Sequence, residues 1–583
     1  MVRGLFCSSP PRMIGPNIPL GKNSSTIGWT IRSSKGCPKL LTSIMTPTEE
    51  IAQDQVAAKM KAAFRKAANN KGLQLIAAFI LIFAVMLKIE FGGPAILDND
   101  GYYHIRWSKM LRESLPHIPQ FTWLPLTTLS QANYVDHHFA FHMLLMPFTF
   151  GDLRLGAKLA AAVFSSIALT SLFGLLVAYR VPYRWFWLVP LVASSEPFLY
   201  RMSMTRAPSL SLALLALGAC LILKHKWVWL GIVGFAFVWL YSLFPLLFAF
   251  ALAYSVAIYF ADRRINLWGP LASGIGIAAG LVINPYFPKN LLLLKEHLFD
   301  KLTVNATYSV DVGVEWYPYD TWVILVGSVV AFGLFLAGFL AFEYGRRKED
   351  IKPIFFLMIS TMLLILAFQS RRFIEYWPPF AVLLAAFTIT QRLRGMTWPS
   401  FPKLRDRAIA AIGATVLVVA VTLRLFANVY EARKDVAEEP SPIAFRGACE
   451  WLTENTPEGS MVFNTDWDQF PELFYYDAHN KYIVGLDPTY LYDRDNDMWK
   501  TYADVTLGNV DDPGPVIRDR FGANFVFTGS EHSDFMQAAE DSGGFQTVYS
   551  DQYATILRVK GADEPRTPSA NDGDDDDADQ DGK

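Results

Sequence analysis

The chain has 583 residues, of which 52% are hydrophobic and only 18% charged, where a soluble protein of that length carries about 25% charged residues. The apolar excess is gathered into runs of about 17–25 residues, enough to cross about 30 Å of hydrocarbon, which excludes a soluble globular chain. The net charge of -2 says little because charge is sorted by loop, and Cys7, Cys37, Cys220 and Cys449 show no disulfide or metal spacing.

Residues 1–72 are expected to form a cytoplasmic, partly disordered extension. No acid precedes Glu49, while Arg3, Arg12, Lys22, Arg32, Lys35 and Lys39 are basic. The stretch reads either as a targeting extension or as sequence upstream of a start at Met45. Predicted spans follow at 73–91, 157–179, 185–200, 207–223, 227–242, 243–260, 268–285, 320–342, 353–370, 373–391 and 408–428. They make an α-helical polytopic domain over 73–428 with about eleven transmembrane helices. With the N-terminus inside (Lys59, Lys61, Arg65, Lys66, Lys71), every second loop is basic: Arg180/Arg184, Lys224/Lys226, Arg263/Arg264, Arg346/Arg347/Lys348, and Arg392/Arg394 through Arg405/Arg407. That is the lysine and arginine bias of cytoplasmic loops. The segment 227–260 has to be two short helices turning near Ser242 to Pro245, because one long helix there would invert everything downstream.

This topology places 92–156, 194–206, 286–319 and the turn at 370–372 outside, with everything after about residue 430. Residues 429–560 predict a small extracytoplasmic α/β domain, with helices at 442–455 and 469–477 and strands at 460–464, 482–485, 524–528 and 554–559. Residues 561–583, with the acidic run Asp572 to Asp581, cannot bury a core and are expected to be a disordered tail.

The outside segments carry the chemistry. Asp98 and Asp100 stand at the mouth of the first span in Leu97-Asp98-Asn99-Asp100-Gly101-Tyr102-Tyr103-His104-Ile105-Arg106. Two carboxylates there are costly unless paired, hydrated or bound to a cation, and oxygen-rich, thiol-free surroundings suit a hard divalent ion such as Mg²⁺ or Mn²⁺. The plainer reading is a solvated turn capping the next helix. Arg371 and Arg372 lie outside, against the positive-inside tendency, and make a clamp for phosphate or pyrophosphate; the plainer reading is lipid-headgroup contact. Arg201 and Arg206 are a similar pair. Glu315 precedes a span in Val314-Glu315-Trp316-Tyr317-Pro318-Tyr319-Asp320-Thr321-Trp322, read alone as an interfacial aromatic belt with one exposed acid. Acids and arginines on one side of one membrane suit a lipid-phosphate donor, with a metal neutralising the leaving phosphate. A proton-driven transporter would instead carry ionisable groups inside its spans. Asn305-Ala306-Thr307 is a sequon in an outside loop.

These residues resemble the catalytic subunit of oligosaccharyltransferase, within the glycosyltransferase C superfamily. Asp100 through Arg106 is similar to that family's first-loop Asp-Pro-Tyr-Tyr-x-x-Arg motif, which implies Asp100 as a metal-binding catalytic acid. Glu315 through Trp322 resembles its late external motif, implying that Glu315 helps hold the metal and the acceptor amide. Arg371 or Arg372 matches the arginine near the lipid pyrophosphate. Trp451 through Ser460, followed by Asp466-Trp467-Asp468-Gln469-Phe470, is similar to the family's helix, Pro-Gly turn, strand and Trp-Trp-Asp-Tyr-Gly sequence, implying acceptor recognition by Trp467 and Asp468. The resemblance covers roughly residues 73 to 560. Two departures stand out: only Trp467 and Asp468 remain of the five-residue motif, and the second external acidic motif is missing where Arg201 to Ser209 stand, with Glu196 the nearby acid.

The resemblance implies a membrane enzyme that transfers a glycan from a polyprenyl or dolichyl (pyro)phosphate-linked donor to a protein asparagine at the non-cytoplasmic face. Asp100 and Glu315 would be catalytic and Asp98, Asp100 and Glu315 would hold the metal. Arg371, Arg372 and His104 would bind the donor phosphate, and Glu196 and Arg206 would contact donor or acceptor. Within the superfamily the alternative is a monosaccharide donor acting on lipid, polysaccharide or Ser/Thr. Outside it the alternative is a transporter or flippase. The expected setting is a bacterial inner membrane with the C-terminal domain periplasmic, or else the endoplasmic reticulum membrane; no nucleic acid is expected as a partner.

Overall fold

The computed structural model describes residues 69–295, 313–345, 347–395 and 404–561. The N-terminal extension up to residue 68, the sequon at Asn305 and the acidic tail lie outside the described residues.

Apolar runs become helices wherever Gly, Pro or polar residues do not interrupt them. Lys71–Glu90 opens the helical part, with the Asn70 side chain accepting from the Leu73 N–H. Leu153–Ala178 is capped in the same way by Asp152, which accepts from the Leu155 N–H; each cap satisfies one of the orphan donors of a first turn. Among the described residues five helices are long and apolar enough to cross a membrane, or six if the bent pair Thr321–Gly327 and Val329–Ala341 counts as one. Shorter apolar helices include Arg184–Ala193, Pro208–Leu223, Trp227–Leu240 and Trp268–Val282. The chain does turn between Trp227–Leu240 and Pro245–Asp262, where Pro245 supplies a first-turn residue that lacks the N–H a helix start cannot pair anyway. The outward faces carry exposed apolar side chains such as Ile76, Val228, Trp229, Trp322 and Leu340, far more than an ordinary water-facing patch.

Two predicted spans are broken. The stretch 185–200 divides into Arg184–Ala193 and Glu196–Met202, with Pro190 inside the first and Ser195 capping the second. The stretch 320–342 bends by 75° at Ser328. The two breaks meet: the Ser195 and Ser328 hydroxyls lie 2.8 Å apart and the Ala331 N–H donates to the Ser194 carbonyl at 3.0 Å. Each interruption thus satisfies backbone and hydroxyl groups freed by the other.

The segment 92–152, which follows the first helix, is a structured platform. It contains the helices Asp100–Ser114 and Phe139–Leu145, and its Tyr103, Trp107, Phe121 and Leu124 share a core with Cys449, Leu452, Phe470 and Phe474 of the C-terminal domain. Backbone bonds pin the two together, Tyr482 N–H to the Trp123 carbonyl at 2.8 Å and Thr128 N–H to the Tyr490 carbonyl at 2.9 Å. The C-terminal domain holds a five-stranded sheet of order β2-β1-β3-β5-β4, made of β1 Met461–Asn464, β2 Lys481–Tyr482, β3 Phe525–Gly529, β4 Phe545–Ser550 and β5 Ala554–Val559. Strands β2, β1 and β3 run parallel, while β5 is antiparallel to both β3 and β4. The carboxyl ends of parallel strands are where open α/β sheets present functional loops. Here the loop leaving β1 carries Asp466, Trp467 and Asp468 towards the helical part.

Candidate active site

The site assembles from chain segments that are remote in sequence. Asp98 adopts a left-handed backbone, φ 73°, a conformation Asp tolerates better than most side chains, in the turn that starts the Asp100–Ser114 helix. Arg201 lies on Glu196–Met202 and Arg206 just beyond it. The Arg206 loop is fixed by its own N–H, which donates to the Met204 carbonyl at 2.8 Å, and by the Thr205 hydroxyl, which donates to the Ala157 carbonyl at 3.1 Å. Glu315 sits in the 3-10 turn Val314–Trp316. That turn is tied to the 370–375 segment: the Ser370 hydroxyl donates to the Glu315 carbonyl at 2.8 Å and the Arg371 N–H to the Tyr317 carbonyl at 3.0 Å.

Arg206 lies at the centre. Its Nε is 2.8 Å from Asp98 Oδ2, its Nη1 2.8 Å from Glu315 Oε2, and its Nη2 pairs with Asp100 Oδ2. Glu315 also meets Arg201 at 3.1 Å and Arg372 at 3.4 Å, and Arg201 reaches the buried Glu375 at 2.5 Å. Burial works to raise the Glu315 carboxyl, yet Arg372, Arg206 and Arg201 outweigh it and hold Glu315 well below the ordinary range. At Asp98 burial wins over Arg206 and the pKa is raised. Arg372 stacks over the Trp316 ring at 4.2 Å, and its Nε is buried without a hydrogen-bond partner among the described residues. Arg371 lies 5.1 Å over Tyr319 and donates from Nε to the Pro318 carbonyl at 3.2 Å.

These residues line a cleft of about 800 Å³ whose walls include Asp98, Asp100, Glu196, Arg206, Glu315 and Arg371 from the helical part and Trp467 and Asp468 from the sheet domain. Asn99 closes the seam, its Nδ2 donating to the Asp468 carbonyl at 3.2 Å and carboxylate at 3.3 Å. Burial first, then Asp98 and Asp466, pushes the Asp468 carboxyl up to about 6. Arg372 lines a smaller adjoining cavity of about 80 Å³ with Asp100, Glu315 and His104. His104 is buried there, its Nδ1 2.8 Å from His142 Nε2, while His142 Nδ1 is 2.8 Å from Asp136 Oδ2. Burial and then His142 hold the His104 imidazole well below its usual range. A neutral ring brings no charge to a phosphate and can serve it only through a hydrogen bond.

Sequence reading gives Arg206 a contact to donor or acceptor, short of the central place it holds here, and misses Glu375, Asp136 and His142. The grouping Asp136-His137-His138 with His142 was the signal for the histidine chain. For the three carboxylates, the described geometry has a guanidinium where that reading puts a divalent ion. Among the described residues no three His, Cys, Asp or Glu side chains are arranged to hold a metal.

No family model matches the sequence, and no curated protein matches it. Among solved structures the chain is similar to the oligosaccharyltransferase AglB of Archaeoglobus fulgidus in complex with an inhibitory peptide and a dolichol-phosphate, with TM-score 0.55 and 14% identity over 85% of this chain and 75% of that one. It is similar to ArnT of Cupriavidus metallidurans bound to undecaprenyl phosphate, with TM-score 0.50 and 15% identity over 85% of this chain and 99% of that one. The Archaeoglobus fulgidus oligosaccharyltransferase in complex with Zn and sulfate matches with TM-score 0.52 and 13% identity over 83% of this chain and 73% of that one. What the chain shares with them at these identities is the fold.

Proposed function

We propose that this protein is an integral membrane glycosyltransferase that takes its sugar from a polyprenyl or dolichyl phosphate-linked donor and transfers it at the non-cytoplasmic face, with asparagine of a protein as the acceptor. The observation that carries the reading is the single cleft of about 800 Å³ in which Asp100, Glu315, Arg206 and Arg371 meet Trp467 and Asp468. The exposed apolar belt and the basic alternate loops support about eleven spans with the sheet domain outside. The dolichol-phosphate and undecaprenyl phosphate in the two similar structures fit the same donor class. The proposed setting is a bacterial inner membrane, with the endoplasmic reticulum as the alternative.

In this reading the donor phosphate lies against Arg371 and Arg372, where the unpartnered Arg372 Nε is a ready donor and a guanidinium is suited to phosphate oxygens. Trp467 and Asp468 present the acceptor. The acceptor lone pair attacks the anomeric carbon while the bond from that carbon to the phosphate oxygen breaks, its electron pair staying on the phosphate. Fixed positive charge facing that oxygen lowers the barrier more in a water-poor cleft than in bulk solvent. Mg²⁺ or Mn²⁺ on Asp98, Asp100 and Glu315 does not fit the arrangement as it stands, because Arg206 already pairs with all three.

A second reading, transfer of a monosaccharide to lipid, polysaccharide or Ser/Thr, is favoured by the similarity to almost the whole of the ArnT chain. Mass spectrometry of glycoproteins and glycolipids from cells with and without the gene separates the two. Loss of glycan at Asn-x-Ser/Thr sites selects the first and loss of a hexose from lipid or polysaccharide the second. Unchanged glycans in both fractions would reject glycosyl transfer and leave a transporter or flippase.

A further inference from the structure

We propose that Arg206 stands in place of a divalent ion, so that the carboxylate cluster of this cleft is built around a permanent guanidinium and takes up no metal while that side chain is present. Each of the three guanidinium nitrogens serves a different acid: Nε faces Asp98 and Nη1 faces Glu315, each at 2.8 Å, and Nη2 pairs with Asp100. The three acids come from two segments separated by more than two hundred residues, so the geometry is not a local accident of one turn. An octahedral Mg²⁺ demands oxygen ligands at about 2.0–2.1 Å around one point, and here that point is filled by a planar fork of nitrogen donors.

Charge points the same way. Glu315 is shared by Arg201, Arg206 and Arg372, so an ion bound to its carboxylate would sit against three guanidinium groups at close range. Like charges in such a partly dehydrated site repel far more strongly than in water. Burial works against the charged form of Arg206, but Asp98 and Glu315 more than offset it and keep the side chain protonated. The cation is therefore permanent across the accessible pH range.

The chemical role rests on the glycosyl-transfer reading above. As the bond from the anomeric carbon to the phosphate oxygen breaks, its electron pair stays on the phosphate and the guanidinium offsets the charge that develops. The acceptor's lone pair forms the new bond to the anomeric carbon, and its proton passes to a cluster carboxylate such as Asp100. Arg206 neither gains nor loses a proton.

The test needs neither donor nor acceptor: Mn²⁺ alone is titrated onto the full-length protein in lipid nanodiscs and free Mn²⁺ is read by electron paramagnetic resonance. The Asp-rich stretch at 572–581 gives a weak background in every variant, so the site is read as the ion that Asp100→Asn removes. The inference expects identical titrations for the wild type and Asp100→Asn. It expects one additional ion, bound at least tenfold tighter than background, in Arg206→Met, lost again in the Arg206→Met/Asp100→Asn double variant. A wild-type ion that Asp100→Asn removes overturns it, and this comparison stands even if Arg206→Met fails to fold. A folded Arg206→Met, or the second variant Arg206→Gln, that gains no ion also overturns it. Absence of sugar transfer in cells would instead sink the enzymatic reading and leave the Mn²⁺ result as it is.

Discussion

Glu315 shows how residue chemistry in this cleft sets stability. Its pKa is held low by three arginines, so the stabilisation it provides is complete above the unfolded carboxyl value of about 4.3 and is lost as pH falls through the depressed folded value. Glu315→Gln leaves Arg201 and Arg372 with one carboxylate fewer in a site where both are largely buried. Removing one partner of such a pair costs about 3–5 kcal/mol. We expect a clear drop in melting temperature by tryptophan fluorescence at pH 7, and an unchanged value would contradict the pairing of Glu315 with these arginines. The histidine chain makes an independent prediction. Asp136→Ala strips the partner from both Trp107 Nε1, at 3.1 Å, and His142 Nδ1, and leaving buried donors unsatisfied costs about 1–3 kcal/mol each. Thermal unfolding should show the loss, and a neutral result would contradict the placement of Asp136. Asp98, Asp100, Glu315 and the Arg371/Arg372 pair were legible in the sequence because charged groups beside apolar runs stand out. The centrality of Arg206 was not, since no local spacing says which guanidinium reaches acids more than a hundred positions away.

Helices were the most legible elements, and their interruptions the least. A run of apolar residues fixes where a helix lies, but whether 185–200 and 320–342 run straight depends on the serine pair that joins their breaks, a tertiary contact between Ser195 and Ser328. In the sheet domain β4 was missed because none of its residues is buried and they do not alternate cleanly, whereas β1, β3 and β5 carry buried apolar residues that mark a strand. The helices Trp227–Leu240 and Trp268–Val282 pack against each other through small residues, and their close approach is set by glycine. A Cβ on Gly276 would overlap the Gly231 carbonyl oxygen, and one on Gly280 would lie 2.9 Å from the Phe235 carbonyl oxygen. Close backbone approach through such residues is how helices associate in lipid. Gly276→Val is expected to separate the pair and destabilise the protein by about 1–3 kcal/mol, seen as a lower melting temperature in nanodiscs; an unchanged value would show that the helices do not touch there.

At the scale of the molecule, the sheet domain rests on the segment that follows the first helix, and one buried acid should make that contact pH-sensitive. Glu472, on the Phe470–Tyr476 helix, is raised to about 7 by burial, then by Asp468 and Glu439. A raised carboxyl contributes stability that is present below the unfolded value near 4.5 and is lost as pH rises through about 7. The shift corresponds to roughly 3 kcal/mol at most. The melting temperature should therefore fall between pH 5 and 8 in the wild type and fall much less in Glu472→Gln; parallel curves would contradict the assignment. The helical character of the larger part was readable from hydropathy, and the α/β character of the C-terminal part from its alternating patterns. The docking of that domain through Phe121, Trp123 and Phe474 was not, because aromatic residues in a loop look the same whether they face lipid or another domain.

Whether this cleft transfers sugar is decided by returning Asp100→Ala to cells that lack the gene and quantifying their glycans by mass spectrometry, with membrane abundance of the variant checked in parallel. The account predicts at least a hundredfold loss of the product restored by the wild type, at equal abundance. Full restoration by Asp100→Ala would contradict it.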